Sequence, residues 1–416
     1  MNSSVAQLRP RRGVPRLGRG VPLPPLAPAS ELSVRRRIGI VWGLLVLNAM
    51  TFYGSVYIPS KVGQLVTQGA LPAALIIALT VNRKVVVRPN VFLTMMSLLV
   101  VEAIITTLQP QHVGTIYRTF RFVEFVAALW LITPWWGRRD LLFVRYHLTA
   151  LSVILGSVIL GLFIAPHVAL EGGSRLGSAL WGTPPTQVAH YAAVLIGLVV
   201  LLWLSGHLQG RTTLIVVAVS GVILLLTHTR TALLSLAIAM LVSGLSLITV
   251  KARALKFFAW GGAIAAVGTL ALSSLITSFL VRGENAQELQ DLTGRTLVWG
   301  PLLAYPRNKF QMYFGFGLSN DSTPVNGRPI DSGWLSTYQA QGLVGVTICA
   351  IILIFLLIAA FLHGDPVQRS LALFLVTYDL IAAYTEDGLG QVGMYLLDLV
   401  LVASLIMCSL ANKDPT

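Results

Sequence analysis

Charge is what this sequence has least of. Asp, Glu, Lys and Arg make up 11% of its 416 residues, against about 25% in a soluble globular protein. That scarcity excludes a soluble enzyme, and a hydrophobic content of 55% excludes a disordered chain. Cysteine is nearly absent. Cys349 and Cys408 both fall in apolar runs, so neither a disulfide scaffold nor a metal site is expected from them. No small-residue cleavage site accompanies the first apolar run, which is also too long for a secretory leader. No repeat of fixed period is present, which leaves a repeat architecture without support. With a mean hydropathy of +0.76, the chain can pair its own backbone only in a bilayer, mostly as helices.

Acids are scarcer than bases. Sixteen Asp and Glu stand against thirty Lys and Arg, a net charge of +14. The first 37 residues hold eight of those thirty, six of the twenty prolines and one acid, Glu31. The expected organisation is a disordered basic cytoplasmic tail over 1–37, a membrane domain over 38–411 and a short cytoplasmic tail over 412–416. The basic block ends in Arg35-Arg36-Arg37 and abuts an apolar run. It therefore reads as a topogenic signal rather than a nucleic-acid arm, and no nucleic-acid partner is expected.

A helix of about twenty apolar residues crosses a bilayer. Such segments lie near 38–58, 64–82, 91–108, 119–136, 142–165, 188–206, 213–227, 231–250, 257–280, 334–361, 370–385 and 391–411. The expected fold class is therefore an all-α integral membrane protein with about twelve transmembrane helices. With the N-terminus inside, the inner segments hold the eight tail arginines, then Arg83, Lys84, Arg88, Arg138, Arg139, Arg211, Lys251, Arg253, Lys256, Arg369 and Lys413. That is nineteen of the thirty bases, the positive-inside pattern, with both termini cytoplasmic and the protein in the plasma membrane. Two outer connections are long: about 166–187, and a loop of about 281–333. A loop of that size is more often functional than idle.

The candidate residues gather on that outer side. Arg230 stands in the polar island Thr227-His228-Thr229-Arg230-Thr231, between two apolar runs. An arginine at a membrane edge pairs with an anion or lines a wet cavity, and suits a lipid phosphate; the plain alternative is snorkelling. Arg175, followed by Gly182-Thr183-Pro184-Pro185, leads into a span headed by His190. That histidine is a donor or base candidate, or else a structural hydrogen-bonder. Gly294-Arg295-Thr296 opens a short amphipathic helix with Leu292, Trp299, Leu302 and Leu303 on one side and Thr293 as N-cap. An arginine in a first turn has the wrong sign for the helix dipole, so an anionic partner accounts for it better. Asp331 stands above the tenth span with Ser332, Gly333 and Trp334, as a general base for a sugar hydroxyl or as a helix N-cap. Gly315-Phe316-Gly317 and Gly342-Leu343-Val344-Gly345 permit close backbone approach. Glu386 and Asp387 lie in the last outer turn, where they either orient an arginine such as Arg230 or Arg295 or form a plain solvated turn. Four acids, Glu102, Glu124, Asp379 and Asp398, fall inside apolar spans, where ionisable groups are functional candidates by default.

These motifs, in order over roughly 165–390, resemble the O-antigen ligase/polymerase family of bacterial polytopic membrane glycosyltransferases. The resemblance implies a glycan donor on undecaprenyl diphosphate, an acceptor glycan and reaction on the outer face of the membrane. Arg230 and Arg295 would hold the diphosphate and Asp331 would serve the acceptor. Arg175, His190, His228, Trp299, Trp334 and Glu386 would contact substrate. No cofactor and no metal are implied, since guanidinium groups neutralise the leaving group. Ligases of the family carry a His where this chain has Asp331, which favours the polymerase branch and makes a flippase or chain-length regulator an expected partner. The alternatives are a ligase to a lipid or protein acceptor, and a polysaccharide transporter. A transporter would be expected to show internal repeats and helices broken at mid-membrane, and the sequence displays neither.

The topology makes a prediction. In a chain stripped of its own cysteines, Glu288→Cys should react with a membrane-impermeant maleimide in intact spheroplasts. Lys413→Cys should react only after permeabilisation.

Overall fold

The computed structural model describes residues 29–50, 52, 54–55, 57–108, 113–138, 140–171, 175–248, 250–271, 296–318 and 330–407. Residues 1–28 of the basic tail, Arg295 and Cys408 lie outside them. Helices follow in the order α1 (Ala29–Ala49), α2 (Ser60–Val81), α3 (Val91–Thr107), α4 (Val113–Ile132), α5 (Leu142–Ile164), α6 (Pro166–Ala169), α7 (Pro185–Leu204), α8 (Gly210–Leu226), α9 (Arg230–Ile248) and α10 (Ala252–Ala271). After them come α11 (Thr296–Ala304), α12 (Lys309–Phe314), α13 (Gly333–Leu362), α14 (Pro366–Ala382) and α15 (Met394–Ile406). The β structure among the described residues is one antiparallel ribbon, Leu170–Glu171 with Arg175–Leu176. The chain is all-α in class. A helix falls on each apolar segment marked above. Five of them, α2, α5, α7, α9 and α13, are long and apolar enough to cross a membrane.

Burial is inverted relative to a water-soluble bundle. Leu65, Ile76, Leu214, Val222, Leu245 and Phe361 are all more than half exposed. An apolar exterior of that extent is unfavourable in water and suits hydrocarbon. At the centre, α7, α14 and α15 are buried on nearly all sides. The closest helix pairs are α9 with α14, α1 with α2, α7 with α8 and α14 with α15.

Short connections make successive helices run up and down, so the loops collect at two ends. The near end is tied by Gly137 N–H to Ser404 O (2.9 Å), the Tyr146 hydroxyl to Arg35 O (2.6 Å) and Arg369 to Ser246 O (3.0 Å). Helix α1 begins at Ala29, so it takes in residues expected to belong to the tail. The reason is an ion network. Arg35 reaches Glu31 (2.8 Å) and Asp140 (3.2 Å), while Arg138 reaches the same two acids (both 3.3 Å). The hydrogen bond from Arg35 holds the Glu31 carboxyl below its ordinary range. Single exposed ion pairs contribute little, and shared partners make this one a network.

The far end, called distal below, is organised by a broken helix. Helix α13 is interrupted at Gly342, whose φ of 61° and ψ of −159° lie outside the helical region. The break frees the carbonyls of Gln339 and Ala340, which accept from the N–H groups of Phe316 and Gly317, both at 2.8 Å. Arg307 secures the contact by donating to Gln339 Oε1 (2.7 Å) and lying 4.2 Å from the Tyr338 ring centroid. Gly315 (φ 75°) and Gly342 meet here backbone to backbone: a Cβ on Gly315 would collide with the Ala340 backbone, and one on Gly342 with the Tyr313 backbone. The sequence suggested no broken helix, because a glycine inside an apolar run reads equally as a packing residue.

Gly342→Ala should therefore be costly. Left-handed φ alone costs an alanine about 1–2 kcal/mol, and the backbone collision adds to it. Gly221→Ala, on α8 with open space around it, serves as the control. Thermal unfolding in detergent should show a clear fall in midpoint for Gly342→Ala and none for Gly221→Ala.

Candidate active site at the distal end

The turn after α14 is where the distal elements meet. Ala383 O accepts from Gly333 N–H at 2.9 Å, which ties the start of α13 to it. The Thr385 hydroxyl lies 2.8 Å from the Thr231 hydroxyl, which ties in the start of α9. Tyr384 meets the Trp299 ring edge-on at 5.6 Å, which ties in α11. Gln341, beside the break in α13, donates to Gly390 O at 3.0 Å. Sites scattered from 230 to 386 in sequence thus share one short segment.

Arg230 is half-buried at the first position of α9. The preceding turn is sharp: His228 adopts a left-handed conformation (φ 51°), and its N–H bonds to Leu225 O. Arg175 braces this turn from the ribbon. Its guanidinium donates to Thr227 O (3.2 Å) and lies 3.5 Å from the Thr229 hydroxyl. The segment that follows the ribbon is in turn seated by close approach. Gly182 (φ 60°) lies so near Gly54 that a side chain would collide with its carbonyl, and the Ser55 hydroxyl donates to Ala179 O (3.1 Å). Arg175, His228 and Arg230 therefore form one unit. Open N–H groups of a helix first turn, with a guanidinium on the same residue, favour an anion.

Asp331 is exposed just ahead of α13, and Ser332 rather than Asp331 holds the N-cap position. Asp331 and Arg230 thus each lie within two residues of a contact to the 383–385 segment. Glu386, half-buried, closes the last turn of α14 with its N–H on Ala382 O (2.8 Å), and its carbonyl faces Gly333. Trp334 is half-buried against the core. In α11 the inward residues are Val298 and Leu302, while Leu303 and Leu297 are exposed. The apolar side is thus rotated from the expected 299/302/303 stripe, because Trp299 leans on Tyr384 rather than on lipid alone. The expected first turn, with Thr293 and Arg295, lies outside the described residues.

His190 does not join this group. It is 1% exposed inside the bundle, 3.1 Å from Asp398. Five residues into α7, it lies below the distal turn rather than on it.

The structure adds two residues that the motif search passed over. A cavity of about 420 Å³ opens beside the distal turn and is lined by Asn48, Gln64, Gln68, Tyr117, Arg118, Arg121, Leu318 and Gln391 among others, with no acid in the described lining. Arg121 is held by Asn48 O (3.3 Å) and lies over the Tyr117 ring at 5.9 Å. The signal was present: two arginines at i, i+3 on one face of an apolar helix.

No protein-family model matches the chain, and no curated protein sequence matches it.

Arg175 makes a separable prediction. Arg175→Ala removes both bonds to the 227–229 turn, each worth about 0.5–1.5 kcal/mol. Limited proteolysis should then cut faster between α8 and α9, while Arg230→Ala should leave that rate unchanged.

Proposed function

We propose that the protein is a polytopic plasma-membrane glycosyltransferase that polymerises a cell-surface polysaccharide, with about twelve crossings and its distal end on the outer face. The observation that carries this reading is the convergence on residues 383–386 of the starts of α9 and α13 and of Trp299, which brings Arg230, Asp331 and Glu386 to one end with the Arg175-braced 227–229 turn, beside an arginine-lined cavity of about 420 Å³. Cations in an apolar bundle are retained where an anion neutralises them. A lipid diphosphate presents that anion at this depth, with its tail in the bilayer.

In the proposed reaction the donor is a glycan on undecaprenyl diphosphate and the acceptor is a sugar hydroxyl on the growing chain. The acceptor oxygen attacks the anomeric carbon, the bond from that carbon to the diphosphate oxygen breaks, and the hydroxyl proton passes to Asp331. Undecaprenyl diphosphate leaves with its charge held by Arg230, with Arg295 from the outer loop as the second cation. Arg175 keeps the turn before Arg230 in shape. Trp299 and Trp334 supply flat apolar faces for sugar rings, with Glu386 and His228 at the rim. Arg118 and Arg121 extend the cationic surface into the cavity. A flippase and a chain-length regulator are the partners such a polymerase needs.

Purified protein incubated with lipid-linked repeat units should build a ladder on a gel. Removing one preorganised charge donor costs roughly 10²–10³ in rate, so Arg230→Ala should reduce growth by that factor. Asp331→Asn should do so by roughly 10²–10⁴. Normal ladders from both Arg230→Ala and Arg295→Ala would sink the diphosphate role. Absent growth in the wild type, with lipid-linked glycan crossing proteoliposomes, would favour a transporter instead.

A further inference from the structure

Beneath the distal turn, four ionisable side chains meet in the interior, one from each of four helices. They are His147 on α5, His190 on α7, Asp379 on α14 and Asp398 on α15. None is more than 1% exposed. Nε2 of His147 stands 3.0 Å from Asp398 Oδ1, and Nε2 of His190 stands 3.1 Å from Asp398 Oδ2. One ligand atom each from His190, Asp379 and Asp398 lie within 4.8 Å of one another.

Three features argue against a simple hydrogen-bonded cluster. First, the two imidazoles each approach a different oxygen of Asp398, at 3.0 and 3.1 Å, and neither is paired with Asp379. Second, both oxygens of the fully buried Asp379 carboxylate lack a hydrogen-bond partner among the described residues, although they lie beside His190 and Asp398. A buried acceptor left without a partner costs about 1–3 kcal/mol or more, and native interiors retain few such groups. Third, the cluster brings two carboxylates together in an apolar bundle with no Lys or Arg among its members. The surroundings are aromatic: Tyr395 and Tyr378 lie 4.2 and 5.4 Å from the His190 ring, and Trp42 lies 6.1 Å from the His147 ring.

We propose that His190, Asp379 and Asp398 bind a divalent transition-metal ion of the zinc class, with His147 holding Asp398 from its other oxygen. One imidazole and two carboxylates form a borderline donor set that suits zinc, manganese or ferrous iron rather than calcium or magnesium, which take oxygen alone. A dication neutralises the two carboxylates with both imidazoles uncharged, and it gives Asp379 the partner it lacks. Imidazole nitrogen and carboxylate oxygen bonded to one ion at about 2.0–2.2 Å each stand about 3 Å or more apart, in keeping with the 3.1 Å seen here. His147 is then the outer partner that fixes a ligating carboxylate. The site pins α7, α14 and α15, the central helices, and α5 through His147. Its ligands sit one helical turn below the distal turn, with Asp379 O accepting from Ala383 N–H at 2.8 Å, and take no part in the proposed glycan transfer; the role assigned to the site is structural.

The test uses the full chain purified in detergent. Elemental analysis should find about one zinc, manganese or iron per chain in the wild type and at least tenfold less in Asp379→Asn, a substitution of equal shape. A cobalt-supplemented preparation should show visible d–d absorption in the wild type that Asp379→Asn lacks. This readout holds for the wild type even if the variant folds poorly. His147→Gln should keep the metal but weaken its hold, so that a chelator strips it faster. Wild-type protein without bound metal and without cobalt absorption would overturn the proposal and leave protons to neutralise the cluster. Full metal content in Asp379→Asn would equally overturn it.

Discussion

In a chain this apolar, every backbone N–H and C=O has to be paired within the protein, because hydrocarbon offers no partner. Regular helices meet that demand over most of the length. It becomes restrictive where a helix must end or break inside the bundle. At Gly342 the break in α13 is tolerated because Phe316 and Gly317 supply the missing donors to Gln339 and Ala340. That exchange brings the 305–318 segment against α13 and sets Leu318 in the wall of the cavity. The distal end depends on it.

The distal turn after α14 shows how a few backbone contacts organise side chains far apart in sequence. Gly333, Thr231, Trp299 and Gln341 all rest on residues 383–390. None of these contacts is strong, but they are mutually consistent, and each carries a candidate residue within a short reach of the others. The arginines gain from this arrangement. Arg175 holds a turn, Arg230 opens a helix, and Arg118 and Arg121 face a cavity without an acid in its described lining. In the proposed reading this cationic surface meets the lipid diphosphate.

The interior follows the opposite rule. Four titratable groups gather where nothing is exposed, on the helices that are buried on most sides. The positions of Asp379 and Asp398 inside apolar spans mark them in the sequence as functional candidates, but sequence spacing does not show that they share one site with His190 and His147. Residues 147, 190, 379 and 398 come from four helices, and only the packing of those helices brings them together. His190 illustrates the point. Beside a Pro-Pro turn it reads as a residue of the outer rim, yet its helix carries it inward onto Asp398.

The sequence by itself determined the class of solvent, the helical content, the placement of each apolar helix and the polar islands that interrupt them. These follow from composition and local periodicity, which a chain carries along its length. The tertiary structure decided the rest: the break in α13 and what repairs it, the rotation of α11 towards Tyr384, the early start of α1 under its ion network, and the gathering of candidates on one turn. It also decided that Arg118 and Arg121 face a cavity and that His190 does not face the rim. The physical reason is that sidedness in a bundle is set by pairwise packing between distant segments. An apolar helix with no polar face carries little record of which neighbour each side will meet.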